Sequence, residues 1–120
     1  MLLEINESPR IISKENNISF LADFDFTYAI LLSDQKLVAA FIDDWSRDLD
    51  FVGKVYDFEG NLFTQIPFPP KGVGGRQNCF WYASETSVGI WVGFHLENGR
   101  DFGGVFDFSC MQFISFNEAR

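Results

Sequence analysis

Short apolar runs of four to nine residues alternate with polar breaks along this chain. Runs of that length are typical of β-strands, whereas an amphipathic helix needs apolar positions spaced three and four apart over several turns. Residues 43–49 are the one stretch whose pattern is compatible with a helical turn. The pattern therefore predicts an all-β fold.

The predicted strands fall into two similar sets that are related by an offset of 50 residues. Residues 38–66 align without a gap on residues 88–116. The identical pairs are Val38 with Val88, Gly53 with Gly103, Val55 with Val105, Asp57 with Asp107, Phe58 with Phe108 and Phe63 with Phe113. A fixed period of this size indicates one supersecondary unit used twice. We therefore expect four-stranded antiparallel meanders at residues 28–66 and 78–116, joined by a linker at residues 67–77.

An N-terminal hairpin is predicted before the first meander. Two short apolar runs, residues 2–5 and 10–13, are separated by a break that contains Pro9. Because proline cannot donate to an interior strand ladder, this hairpin should lie at an edge. The expected fold is a single domain, residues 1–120, in which the two meanders pack face to face as a sandwich or curl into a flattened barrel.

Strand alternation sets aromatic residues on one face of the repeated strand. Tyr56 and Phe106 occupy equivalent positions in the two units. We expect both in one core between the meanders, since burying such a ring is worth up to about 3 kcal/mol. Asp57 and Asp107 stand at the ends of their strands, where a carboxylate accepts hydrogen bonds from the following turn. We therefore expect a capping role for them and no catalytic one.

One hairpin resembles a known type of repeat. Residues 53–66 are similar to the inner hairpin of quinoprotein-type propeller blades, in which a valine and an aromatic residue precede an acidic residue, Gly, Asn, Leu and a hydrophobic residue. The matching positions are Val55, Tyr56, Glu59, Gly60, Asn61, Leu62 and Phe63. The resemblance implies a twisted four-stranded meander for each unit; it carries over no binding residues, and we infer no cofactor from it. Two such units are too few to close a propeller, which needs at least four blades.

Composition and charge narrow the possible partners. Fifteen Phe and a hydrophobic fraction of 47% favour an ordered, strand-rich fold. Seventeen acidic residues against nine basic ones give a formal net charge of -8, so phosphate backbones and anionic membranes should be repelled. No stretch has the ~20 apolar residues of a membrane helix, and the first residues do not form a signal peptide. We expect a cytoplasmic location and a basic protein partner; the alternative is that the surplus acid only keeps a Phe-rich protein soluble.

The sequence shows no catalytic or metal-binding motif. Cys79 and Cys110 form no C-x-x-C pair, and His95 is the only histidine. Zinc therefore lacks a ligand set, and Ser–His–Asp or Cys–His chemistry would have to use His95. In a reducing cytosol we expect both cysteines to be buried packing residues, and the alternative is a disulfide if the chain is secreted. Metal, cofactor and enzymatic activity are not expected.

An acidic loop is the first candidate binding site. Its candidate contact residues are Asp43, Asp44, Trp45, Asp48 and Asp50. The loop lacks the twelve-residue calcium pattern with its central Gly and terminal Glu. The simplest interpretation is a solvated turn, but a Trp anchor among carboxylates also suits a basic protein partner. In size and charge the chain resembles bacterial immunity and antitoxin proteins that neutralise basic toxin enzymes. The predicted function is a non-enzymatic protein-binding module, as a monomer or a homodimer.

The alternative function is binding of a small ligand, such as a carbohydrate. Trp91 and His95 alternate with glycines on one face of the predicted strand 88–96, and glycines leave room for a ligand to approach. The glycine-rich loop that contains Gly74, followed by Arg76, is expected to act as a lid over this face.

Overall fold

The fold is all-β, and the computed structural model describes it over residues 5–42, 50–68, 79–95 and 101–118, apart from the side chains at positions 5–7, 79, 81, 117 and 118. Within these ranges strands alternate with turns and loops, and the one helical element is the 3-10 turn Lys14–Asn16. The predicted all-β class is confirmed.

A small sheet forms at the N-terminus. Its strands are β1 (Ile5–Glu7), β2 (Arg10–Ser13) and β3 (Ile18–Leu21), which pair antiparallel in that order. The predicted hairpin is β1 with β2, and β3 adds a third strand to it. We call this the N-terminal sheet.

The rest of the described chain forms two four-stranded antiparallel sheets. Sheet 1 has the order β4 (Tyr28–Leu32), β5 (Leu37–Phe41), β6 (Gly53–Asp57) and β7 (Leu62–Ile66). Sheet 2 consists of β8 (Cys79–Glu85), β9 (Gly89–His95), β10 (Asp101–Asp107) and β11 (Gln112–Glu118), again in chain order across the sheet. Each strand of sheet 2 overlaps the position 50 residues after its counterpart in sheet 1. Both predicted meanders are confirmed.

The repeat extends to an irregularity in the strand pairing. The register between β6 and β7 shifts between Val55 and Tyr56. The register between β10 and β11 shifts between Val105 and Phe106, fifty residues later. A bulge bends its strand and increases the local twist. Both meanders are therefore distorted at the same place.

Both turns after these bulged strands are capped by the predicted aspartates. The Asp57 carboxylate accepts hydrogen bonds from the backbone N–H groups of Asn61 and Glu59, each at 2.9 Å. The Asp107 carboxylate accepts from the Ser109 hydroxyl at 2.6 Å and from its N–H at 2.7 Å. Donors from Asn61 and Ser109 lower the pKa of Asp57 and Asp107 respectively. The two carboxylates hold turns.

Sheet 1 lies between the N-terminal sheet and sheet 2 and is covered on both faces. All five residues of β5 are buried. Ala39 and Phe41 belong to the core shared with sheet 2, whereas Val38 and Ala40 belong to the core shared with the N-terminal sheet. A strand that is buried on both faces has no polar alternation, which explains the continuous apolar run in this strand.

The equivalent rings of Tyr56 and Phe106 lie in different cores, which corrects the expectation that they share one. Phe106 belongs to the core between sheets 1 and 2. Tyr56 packs against the N-terminal sheet, with the Phe20 ring 5.3 Å from its own. The N-terminal sheet covers the aromatic face of the first unit, so the two units stack in the same orientation and do not meet through equivalent faces.

A polar contact also joins the two large sheets. The Glu85 carboxylate at the end of β8 accepts hydrogen bonds from the backbone N–H of Gln35 at 3.0 Å and of Asp34 at 3.4 Å. The Gln35 amide donates to Glu85 at 3.0 Å and to the Gly89 carbonyl at 2.9 Å. The turn between β4 and β5 is therefore fastened to sheet 2.

Candidate functional site

The predicted acidic loop lies largely outside the described residues. The undescribed range 43–49 includes Asp43, Asp44, Trp45 and Asp48. Asp50 is the one member of this predicted site that the structure describes, and it is exposed. The site is therefore described from the residues that directly follow the loop, beginning at Asp50.

An aromatic contact forms at that end of the loop. Phe51 packs edge-on against Phe24, with 5.3 Å between the ring centroids. Phe24 belongs to the segment between β3 and β4, and its neighbours Asp23 and Asp25 are both exposed. Asp23, Asp25 and Asp50 thus stand next in sequence to two rings in contact. We call these three residues the acidic rim.

Lys54 is held against the same rings. Its Nζ lies 4.9 Å from the Phe51 ring centroid and 5.7 Å from that of Phe24. It also pairs with the Asp23 carboxylate at 2.9 Å, and its side chain is only 12% exposed. A cation fixed over aromatic faces and paired with one carboxylate is largely committed to those contacts.

Asp23 is the rim carboxylate with internal partners. Besides Lys54, it accepts a hydrogen bond of 2.6 Å from the hydroxyl of Tyr56. The Tyr56 and Lys54 donors lower the pKa of Asp23. Burial and the bond to Asp23 raise the pKa of Tyr56 far above its ordinary value. Asp23 therefore joins Lys54 and Tyr56, whereas Asp25 and Asp50 are exposed.

Sequence reasoning missed Asp23 and Asp25. Residues 18–26 form one apolar and aromatic run in the sequence, but β3 ends at Leu21. The sequence did contain a signal. In the last four residues of that run, 23–26, aspartate alternates with phenylalanine, and strands disfavour aspartate.

The alternative site lies partly on sheet 2. Trp91 and His95 are on the face of β9 that points away from sheet 1, since Ile90, Val92 and Phe94 on the other face are in the core. Four residues along a strand span about 13 Å, so the two side chains share a face without forming one compact site. Gly74 and Arg76 lie outside the described residues.

The Trp91 indole lies against Gly103 of the neighbouring strand. A Cβ atom at position 103 would collide with Cζ2 and Cε2 of the indole. The Tyr82 ring stands beside the indole, 6.2 Å away between centroids, and is 47% exposed. Val105 pairs with Trp91 on the same face. We call the surface formed by Tyr82, Trp91, Gly93, Gly103 and Val105 the outer face of sheet 2, because it points away from sheet 1.

His95 is hydrogen-bonded to Asp101 at one end of the outer face. Its Nδ1 lies 2.5 Å from Oδ1 of Asp101, and the two side chains are 45% and 23% exposed. A carboxylate in this position orients an imidazole, but catalysis would also need a nucleophile at the other ring nitrogen. The side chain of Cys79, which pairs with His95 across the strands, is outside the described part of the structure.

Cys110 is a free thiol exposed in the turn between β10 and β11. The expectation that it is buried was wrong, because a hairpin turn lies on the surface, away from either core. In the ranges that the structure describes, no three His, Cys, Asp or Glu side chains are grouped to hold a metal ion. The described residues also contain no helix that is long and apolar enough to cross a membrane.

Comparisons of this chain with protein-family models, curated proteins and solved structures each gave no match.

Proposed function

We propose that this chain is a non-enzymatic protein-binding module that contacts a basic partner through the acidic rim and the adjoining loop. The observation that supports it best is the local charge balance. Lys54 is drawn onto the Phe24 and Phe51 rings and paired with Asp23. Asp25 and Asp50 are exposed beside that contact.

The net charge of the whole chain also favours a basic partner. A formal net charge of -8 raises the rate at which a basic protein meets this surface. Asp43, Asp44 and Asp48 would add to the rim, and Trp45 would serve as the aromatic anchor that protein interfaces favour. This is the binding mode of a small acidic inhibitor, of the immunity or antitoxin type, that neutralises a basic enzyme.

The duplicated carboxylates have a structural role and do not form an acid–base pair. Asp57 and Asp107 each accept hydrogen bonds from their own turn. An acid–base pair needs two environments that separate the pKa values of its members, whereas the pKa values of both residues are lowered for the same reason. Neither carboxyl is poised to donate a proton near neutral pH.

Affinity capture with matched variants tests the proposal. The double variant Asp25→Asn/Asp50→Asn removes two rim charges without changing side-chain shape. The control Glu15→Gln/Glu59→Gln removes two exposed charges elsewhere, since Glu15 is at the far end of β3 from the rim and Glu59 is in the turn at the far end of β6.

We expect the wild-type chain to retain a basic protein in stoichiometric amount, with retention that weakens as salt is added. The rim variant should bind it several-fold more weakly than the control variant, because each lost charge contact contributes up to about 1 kcal/mol. Equal retention by the two variants, or capture of an acidic protein, would contradict the proposal.

A further inference from the structure

The two large sheets are fastened to each other at one pair of edge strands. These edges are β4 of sheet 1 and β8 of sheet 2. The Tyr28 ring of β4 lies 5.1 Å from the Phe80 ring of β8, and the Glu85 carboxylate at the end of β8 holds Gln35 in the turn after β4. The remaining edges of the two sheets are β7 and β11.

The edge strand β11 is accessible along its middle. Among the strands that the structure describes, its one neighbour is β10. Phe113 and Phe116 pack on the core between the large sheets and hold the strand in place. Ile114 is 53% exposed, and Ser115 next to it is also exposed. Two successive exposed residues leave room for another chain to approach this edge.

The repeat contains one protected edge and one unprotected edge. Proteins protect an edge strand from pairing with other chains by keeping it short, by proline or by charged side chains. β7 is five residues long and is followed directly by Pro67. Its counterpart β11 is seven residues long, and its one charged residue is at its last position, 118. The protection of β7 is therefore missing from β11.

We propose that β11 pairs antiparallel with β11 of a second copy of the chain, so that two copies of sheet 2 form one eight-stranded sheet. The unpaired N–H and C=O groups of an edge are matched by another extended strand. Two-fold pairing of identical strands also closes the assembly after two chains.

The charge pattern of β11 suits pairing with its own copy. A two-fold axis through Ser115 would place position 118, a glutamate, opposite Gln112 of the other chain. Like charges directly opposite each other destabilise a strand pair, and this register contains none within β11. No residue of the acidic rim belongs to sheet 2, so the inference does not depend on the basic partner.

The dimer should be weak. A single pair of strands buries less than the about 800 Å² per partner of a standard interface. Two chains that each carry a net charge of -8 also repel each other. We therefore expect a dissociation constant in the micromolar range that decreases when salt screens the repulsion.

Hydrogen–deuterium exchange of the full chain at about 5 µM and about 500 µM tests the inference. The backbone amides of residues 112–118 should exchange more slowly at the higher concentration, because strand pairing protects them. Those of residues 62–66 should exchange at the same rate at both concentrations. Sedimentation velocity over the same range should show a shift from monomer to dimer, at lower concentration when salt is added.

Two matched variants separate the β11 edge from the β7 edge. Ile114→Lys and Leu62→Lys replace residues of nearly equal exposure, 53% and 52%, and they change the net charge of the chain by the same amount. A lysine on an edge strand opposes the addition of another strand. Ile114→Lys should therefore weaken association at least about tenfold, whereas Leu62→Lys should retain it.

Four results would overturn the inference. The first is a wild type that stays monomeric over the whole concentration range, and the second is a dimer in which residues 112–118 exchange as fast as in the monomer. The third is a folded Ile114→Lys variant that associates as the wild type does. The fourth is protection of residues 112–118 that requires the captured basic protein, which would assign this edge to that partner.

Discussion

Replacing Tyr56 with Phe should destabilise the protein by removing one hydrogen bond at the base of the acidic rim. The hydroxyl donates to the Asp23 carboxylate at 2.6 Å, and the residue is only 2% exposed. A hydrogen bond to a charged group contributes about 1.5–3 kcal/mol. The Asp23 side chain is 58% exposed and keeps Lys54, so water partly replaces the lost donor. We expect a loss of about 1–2 kcal/mol.

A matched variant isolates the hydrogen bond from other effects of removing a hydroxyl. Tyr28→Phe deletes the same atom from a half-buried ring whose hydroxyl has no hydrogen-bond partner among the described residues. We expect that variant to lie within about 0.5 kcal/mol of the wild type. Urea unfolding followed by circular dichroism measures both, and Tyr56→Phe should also melt about 3–8 °C lower than the wild type.

The pH dependence supplies a second check on the same bond. The pKa of Asp23 is lowered in the folded state, so its stabilising contribution is present above the unfolded pKa of about 3.9 and is lost as the pH falls through the folded pKa. The difference between Tyr56→Phe and the wild type should therefore shrink below about pH 4. Equal stability of Tyr56→Phe and Tyr28→Phe at pH 7 would refute the reasoning.

Two further predictions concern contacts that hold sheet 2 in place. Glu85→Gln should lower the free energy of unfolding by about 1 kcal/mol, because the carboxylate accepts hydrogen bonds from two backbone N–H groups and from the Gln35 amide. Urea unfolding measures the loss, with the exposed Glu59→Gln as the control variant. Equal stability of the two variants would exclude a role for this contact. Gly103→Ala should lower the free energy of unfolding by about 1–3 kcal/mol and displace the Trp91 indole. An unchanged near-ultraviolet circular dichroism spectrum would show that the ring does not rest on this glycine.

The strand pattern and the repeat were enough to predict much of the fold. Alternating apolar runs gave the two meanders, and the repeated aspartates gave the turn caps, because both features depend on residues close together in the sequence. The offset also contained a cross-strand contact: Phe41 with Gly53 and Trp91 with Gly103 are equivalent pairs. Their recurrence was a signal that the ring and the glycine of each pair meet.

The stacking of the sheets could not be predicted from the sequence. Alternation shows that Tyr56 and Phe106 share a face of their strands, but it does not say which sheet covers that face. The N-terminal residues Ile11 and Ile18 decide it, since they cover the Tyr56 face of sheet 1. These contacts join residues that are far apart in the chain, and no local pattern specifies them.

The candidate site was partly predictable for a similar reason. The acidic loop was visible as a run of aspartates, and Asp50 is exposed as such a loop requires. Asp25 joins it only because Phe24 packs on Phe51, a contact between segments more than twenty residues apart. The contacts of Lys54 with Asp23 and two rings are of the same kind, since they join segments far apart in the chain.

Titration calorimetry of the captured basic protein against the rim variant tests the central claim most directly. The account predicts that Asp25→Asn/Asp50→Asn binds several-fold more weakly than Glu15→Gln/Glu59→Gln and that its affinity depends less on salt. The same affinity and the same salt dependence for both variants would show that the acidic rim is not the binding surface.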